Sequence, residues 1–122
     1  MAKSVCVLED DEAIREVIML LLKDENYNVV GYANIKDFNQ YAINSMPDLF
    51  LLDIMLPDGS GIDLCTGLKT SDATKNIPVL MMSAHARAAE VSAICHAQGF
   101  ISKPFDIDDL LRRVDYQLNV AS

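Results

Sequence analysis

The sequence predicts an α/β domain built on a five-stranded parallel sheet with helices on both faces, and three observations carry that expectation. Five short apolar runs alternate with amphipathic stretches of helical period along the chain. The central run, Leu49-Phe50-Leu51-Leu52, has no polar alternation, as a strand covered on both faces requires. The runs end on polar groups, namely the carboxylates Glu9, Asp10 and Asp53, the hydroxyl of Ser83 and the amine of Lys103. Right-handed crossovers would bring those groups to one edge of the sheet.

The first strand, Ser4–Leu8, stops at the acid triplet Glu9-Asp10-Asp11. Ile14, Val17, Ile18, Leu21 and Leu22 then recur at helical spacing, with Glu12 in the first turn and Lys23 near the end, the charge order that the helix dipole favours. Asp11 is the expected cap of this helix and Asn26 its terminator. Residues 29–33 form a second strand, and residues 35–46 a weaker helix with Phe38, Tyr41 and Ala42 inward, ended by Pro47. The central strand stops at Asp53. Past the loop through Pro57, Ser60-Gly61-Ile62-Asp63 is a capping-box arrangement opening a third helix that ends near Thr70.

Residues 71–76 are a polar connection, and residues 78–82 a fourth strand that ends at Ser83. Residues 87–97 form a modest helix with Ala88, Val91, Ile94 and Cys95 on one side. Gly99–Ser102 is a short fifth strand before Lys103-Pro104. Asp106 then caps a last helix, on which Ile107, Leu110, Leu111, Val114 and Leu118 keep helical spacing.

With 122 residues and 51% hydrophobic content, the chain suits one domain over residues 1–122 with a core of its own. Its net charge of -8 argues against a direct nucleic-acid surface, which needs a Lys/Arg patch, and favours a cation site. Cys6, Cys65 and Cys95 are odd in number and lack a C-x-x-C pair, so they read as small buried hydrophobes in a reducing compartment rather than as a disulfide framework or zinc site. The N-terminus runs directly into a strand rather than a signal-peptide core, and no apolar stretch reaches the length of a membrane span. A cytoplasmic protein without a membrane partner is expected.

Carboxylates crowded at one sheet edge repel one another and call for a counter-ion. An all-oxygen site with few protein ligands suits Mg²⁺, which keeps several waters. Lys103 adds a point charge for a phosphate oxygen, and Ser83 adds a hydroxyl donor. A carboxylate in that setting can act as a nucleophile toward phosphorus, giving an aspartyl phosphate, and phosphoryl transfer needs mainly positioning and charge neutralisation.

Four segments in order, Val7-Leu8-Glu9-Asp10-Asp11, Leu51-Leu52-Asp53-Ile54-Met55-Leu56-Pro57, Ser83-Ala84 and Phe100-Ile101-Ser102-Lys103-Pro104-Phe105, make the chain resemble a response-regulator receiver domain of two-component signalling over essentially its whole length. The resemblance implies a flavodoxin-like, doubly wound sheet of order 2-1-3-4-5. It implies that Asp53 is the phosphoacceptor, that Glu9, Asp10 and Asp53 hold Mg²⁺ with the Met55 backbone carbonyl, and that Lys103, Ser83 and the Ala84 backbone bind the phosphoryl group. Ser83 and Phe100 would be the switch pair, remodelling the surface of the fourth helix, fifth strand and fifth helix.

The implied partners are a histidine kinase or histidine phosphotransfer protein and a downstream output protein or domain, compatible with a phosphorylation-dependent dimer. The sequence departs from the family pattern in its Glu-Asp pair, in Phe100 where Tyr is usual, and in His96-Ala97-Gln98-Gly99 where Gly-Ala-Asp-Asp is usual. Met55 and His85, at variable positions flanking the site, are candidates for tuning the acyl-phosphate lifetime.

Two other functions are weighed against this one. A Mg²⁺-dependent phosphatase or phosphotransferase resembling haloacid dehalogenases would carry a second Asp two positions after the nucleophile, where this chain has Met55. A phosphorylation-independent interaction domain would have a degenerate pocket, whereas every pocket residue is present. The last helix is followed by no output domain, which fits a stand-alone receiver or a fragment of a longer regulator.

Overall fold

The computed structural model describes residues 2–41, 46–84 and 95–119. The main strands are β1 (Ser4–Leu8), β2 (Asn28–Tyr32), β3 (Leu49–Asp53), β6 (Val79–Ser83) and β7 (Gly99–Ser102). They form one parallel sheet in the order β2-β1-β3-β6-β7. A small antiparallel hairpin, β4 (Met55–Leu56) and β5 (Gly59–Ser60), follows β3. With the hairpin set aside the order is 2-1-3-4-5, the flavodoxin-like arrangement expected. The helices are α1 (Glu12–Asp24), α2 (Ile35–Tyr41), α3 (Gly61–Thr70) and α4 (Ile107–Asn119).

Successive side chains of a strand point to opposite faces, and here both faces are dry. Cys6, Leu8, Phe50, Leu52, Val79 and Met81 pack with Phe38 of α2 and Cys65 of α3. Val5, Val7, Leu49, Leu51, Leu80 and Met82 pack with Ile18 and Leu22 of α1 and Leu110, Val114 and Leu118 of α4. The uninterrupted apolar runs are therefore strands between two helical layers.

Asp11 caps α1 by accepting from the Ile14 N–H at 3.0 Å, and Asp106 accepts from the Asp109 N–H at 3.2 Å before α4. Asn26 takes φ 69°, the left-handed turn that ends α1. Cys6, Cys65 and Cys95 are buried thiols outside any disulfide.

Several local expectations are corrected. The second strand is Asn28–Tyr32, one residue earlier than expected, because its register follows β1, with Ser4 opposite Asn28. Val17 is 48% exposed rather than core, since helical spacing marks a face but not how far the sheet covers it. Ile107 at the start of α4 is likewise exposed.

Ser60 caps α3 through the Ile62 N–H at 3.2 Å, an ST-type cap in place of the reciprocal box with Asp63. Met46 lies outside α2 and is exposed. Ala42 and most of the helix expected at 87–97 fall outside the described residues, as does the side chain of Tyr41.

Where the family pattern has Gly-Ala-Asp-Asp, His96 adopts φ 60°, a left-handed position that Gly fills at lower cost. Gln98 Oε1 accepts from the Val79 N–H at 2.8 Å and from Lys69 Nζ at 3.1 Å, which fastens the turn before β7. Among the described residues, no helix is long and apolar enough to cross a membrane.

Candidate functional site

The carboxyl ends of β1, β3, β6 and β7 meet at one edge because parallel strands run the same way. β1 lies between β2 and β3, and β6 between β3 and β7. Glu9 follows β1, and its backbone is held by the Glu9 N–H donating to the Tyr32 carbonyl at 3.0 Å and by Arg15 Nη1 donating to the Glu9 carbonyl at 2.9 Å. Asp53 closes β3. Ser83 closes β6 opposite Ser102, and the Lys103 N–H donates to the Ser83 carbonyl at 3.0 Å. The Lys103–Pro104 peptide bond is cis.

Carboxylate oxygens of Glu9, Asp10 and Asp53 all lie within 4.8 Å of one another, a spacing that fits a shared cation. Glu9 is 1% exposed and Asp53 6%, whereas Asp10 faces solvent. Lys103 Nζ donates to Asp53 Oδ2 at 3.0 Å and forms a close ion pair with Glu9 Oε1. Glu9 Oε2 accepts from the Asp11 N–H at 3.2 Å.

One lysine facing three acids leaves negative charge in excess. Burial pushes the pKa of Glu9 up to about 7, the Lys103 hydrogen bond pulls against it, and the neighbouring Asp53 raises it further. Burial acts to lower the pKa of Lys103, but its bonds to Glu9 and Asp53 outweigh that and hold it raised, so the ammonium stays charged. The donor set is oxygen-only, partly buried and anionic, which fits a hard cation.

The expected site residues thus divide. Glu9, Asp10, Asp53 and Lys103 come together in one cluster. Ser83 is buried at 4% beside them and Ala84 is exposed. Met55 lies in β4, its side chain 67% exposed at the rim. Phe100 is buried in β7, opposite Met81 and back along the strand from the cluster. His85 lies outside the described residues.

Three features escaped the sequence. A Cβ on Gly61 would stand 1.9 Å from the Asp53 carbonyl oxygen, so α3 can start against β3 only with glycine there. Asp58, at the turn of the β4–β5 hairpin, accepts from the Ile35 and Lys36 N–H groups. Ala13, Ile14, Val17, Pro104 and Phe105 line an apolar groove of about 300 Å³ adjoining Lys103, with Leu20 of α1 69% exposed. A surplus of apolar residues around α1, beyond what one buried stripe needs, was the available signal for the groove.

A doubly wound α/β sheet that gathers an acidic cluster and a paired lysine beyond its strand ends defines the class of open α/β domains whose sites lie at the carboxyl edge of the sheet. Comparison with known proteins makes the class specific. A sequence model of the response regulator receiver domain matches residues 5–115, and the chain belongs to that family, the receiver domains of two-component response regulators.

The chain is 35% identical to the phosphate regulon transcriptional regulatory protein PhoB of Escherichia coli K12, over 93% of its own length and 51% of that protein. It is 30% identical to the DNA-binding dual master transcriptional regulator RpaA of Synechocystis, over 90% of its own length and 46% of that protein. It therefore spans about half the length of these curated relatives. A CheY-like response regulator receiver domain protein of Methanospirillum hungatei superposes with a TM-score of 0.89 at 26% identity, covering 98% of this chain and 95% of that one. The chemotaxis protein CheY4 of Vibrio cholerae shares the fold, with a TM-score of 0.89 at 22% identity over 97% of this chain and all of the other (100%). Receiver domains of this family generally bind Mg²⁺.

Proposed function

We propose that this domain accepts a phosphoryl group on Asp53 from a phosphohistidine of a histidine kinase or phosphotransfer protein. The observation that carries the reading is the Asp53 carboxylate, 6% exposed, hydrogen-bonded to Lys103 Nζ and set among two further acids. In the transfer, an Asp53 carboxylate oxygen forms a bond to phosphorus as the phosphorus–nitrogen bond of the donor breaks. The donor imidazole leaves with that electron pair and regains a proton from solvent. Lys103 holds the Asp53 oxygen in place and neutralises charge on the phosphoryl oxygens, while Ser83 and the Ala84 N–H face the product.

Glu9, Asp10, Asp53 and the Met55 backbone carbonyl would hold Mg²⁺, which when bound offsets the charge of the acids and of the phosphoryl group. The domain in this way assists its own phosphorylation and dephosphorylation. Met55 and His85 are the positions that would set the lifetime of the product. The donor protein would seat on the apolar groove of Val17, Pro104 and Phe105, which adjoins the lysine of the site.

Phosphorylation would draw Ser83 toward the phosphoryl group and Phe100 with it, changing the face around β7 and α4 that an output protein or a second copy reads. The acid surplus makes the output a protein contact rather than a nucleic acid contact by this domain. Residues 1–122 would act as one receiver domain in the cytoplasm, where three thiols outside any disulfide stay reduced.

The test is intact-mass analysis after incubation with acetyl phosphate and Mg²⁺. One phosphoryl adduct is expected, lost with a chelator, lost in Asp53→Ala and released by hydroxylamine. An adduct that survives Asp53→Ala, or no adduct together with no binding of beryllofluoride and Mg²⁺, would overturn the reading.

A further inference from the structure

Asp58 stands at the turn of the β4–β5 hairpin, between Met55 and Gly61. Its Oδ1 accepts from the Ile35 N–H at 2.9 Å and its Oδ2 from the Lys36 N–H at 2.9 Å, so one carboxylate takes up two of the N–H groups that open α2. The helix already has a cap of its own. Asn34 Oδ1 accepts from the Asp37 N–H at 2.8 Å, and the Asn34 carbonyl accepts from the Phe38 N–H at 3.2 Å. The consequence of the long-range bonds therefore falls on their other end, the hairpin.

Apart from Leu56, which packs partly buried against the core cluster of Phe38 and Phe50, that hairpin has few bonds to hold it. Its ladder is two residue pairs, Met55 with Ser60 and Leu56 with Gly59, and a ladder so short has no stability of its own. At its base the Gly61 N–H donates to the Ile54 carbonyl at 2.7 Å, and Gly59 packs so closely that a Cβ would lie 2.8 Å from Ile35 Cδ1. The tip is thus fastened to α2, the base to β3, and Met55 lies between.

We propose that Asp58 is a positioning residue for the phosphoacceptor site: by stapling the hairpin tip to the first turn of α2, it fixes the Met55 backbone carbonyl relative to Asp53. The inference rests on the reading of Asp53 and Met55 given above. The positive end of α2 favours a carboxylate at this point. The Ile35 and Lys36 N–H groups also hold the pKa of Asp58 below the usual aspartate value, so the staple is charged at neutral pH.

The experiment measures the rate of phosphorylation by acetyl phosphate across a Mg²⁺ titration, followed by intact mass, for the parent, Asp58→Ala, Asp58→Asn and Asn34→Ala, with thermal unfolding of each. Asp58→Ala should raise the half-saturating Mg²⁺ concentration about tenfold, the lower end of what loss of an outer partner of a metal ligand brings. The rate at saturating Mg²⁺ should stay within about twofold of the parent, since the reacting groups are untouched. Asp58→Asn, with one acceptor oxygen, should fall between, and it decides the matter if Asp58→Ala does not fold.

Asn34→Ala weakens the start of α2 and leaves the hairpin bonds, so its Mg²⁺ dependence should match the parent. An unchanged Mg²⁺ dependence in the Asp58 variants, or an equal shift in Asn34→Ala, would show that the bonds serve only α2 and would overturn the proposal. A parent that takes up no phosphoryl group at any Mg²⁺ concentration and binds no beryllofluoride would instead overturn the underlying reading, and the proposal with it.

Discussion

β1 and β3 lie side by side, and each buries a hydrophobic run and then, at its carboxyl end, a carboxylate. Leu8 and Leu52 are 0% exposed, while Glu9 and Asp53 are 1% and 6% exposed. Equal burial has opposite consequences in the two regions. A buried leucine contributes about 1.5–3 kcal/mol to folding. A buried carboxylate loses its hydration and recovers only part of that through its partner. The raised pKa of Glu9 shows which way the balance falls at the strand end. Burial along the middle of the strands stabilises the domain, whereas burial of the Glu9 carboxyl at a strand end costs stability once it is charged, and a cation and a phosphoryl group would offset charge at that edge.

The largest expected effect lies on the stable side. Leu52→Ala, one residue before Asp53, should cost about 2–5 kcal/mol in denaturant unfolding, the range for buried leucines. A loss under about 1 kcal/mol would mean that this position relaxes like a surface, and the contrast between the two regions would fail.

Gly61→Ala comes next, at about 1–3 kcal/mol, because the added carbon meets backbone rather than a side chain that can move. Its effect should reach across the boundary between the regions, since the atom it strikes is the carbonyl of Asp53. Chemical denaturation measures the stability loss, and a phosphorylation assay the displacement.

The smallest effect separates two kinds of carboxylate. Asp58 is exposed, and its pKa lies below the ordinary 3.8 because of the Ile35 and Lys36 N–H groups. A depressed pKa contributes stability that is present above the unfolded value and lost as pH falls through the folded one. Amide exchange at Ile35 and Lys36, corrected for its intrinsic pH dependence, should therefore lose protection as pH falls below the ordinary 3.8 of Asp58, and Asp58→Asn should remove that dependence. Glu9 has the opposite sign, because its raised pKa costs the metal-free protein stability as pH rises from the ordinary 4.5 toward about 7.

The sequence makes legible the buried strands and which residues gather at their edge. Short apolar runs without alternation, set between amphipathic helical stretches, are the length and pattern of strands buried on both sides, and parallel strand direction brings the acids at their ends to one edge. Hence the chain alone brings Glu9, Asp10, Asp53 and Lys103 to one edge of the sheet, where they form one cluster.

What it hid depends on approach between distant segments. The β4–β5 hairpin is too short for a period to show, and the partners of Asp58 lie in another loop. Gly61 looks like any glycine in a cap until the Asp53 carbonyl is brought against it. Val17 has the spacing of a core residue, and only the width of the sheet decides that it stays in water. The turn at His96 is fastened by Gln98 bonding to Val79 and Lys69, partners that lie far from it in the chain.

The central contrast is tested most directly by comparing the unfolding free energy of the parent and of Asp53→Asn, each with and without Mg²⁺. Without Mg²⁺ the variant should be at least as stable as the parent, by up to about 1 kcal/mol, because Lys103 keeps Glu9 as its partner and one buried charge is gone. With Mg²⁺ at about a hundred times its dissociation constant the parent should gain about 2.7 kcal/mol and the variant much less. A variant that loses several kcal/mol without Mg²⁺, beside a parent that does not respond to the ion, would mean that Asp53 is a structural partner of Lys103 and that the strand ends are not a cation site.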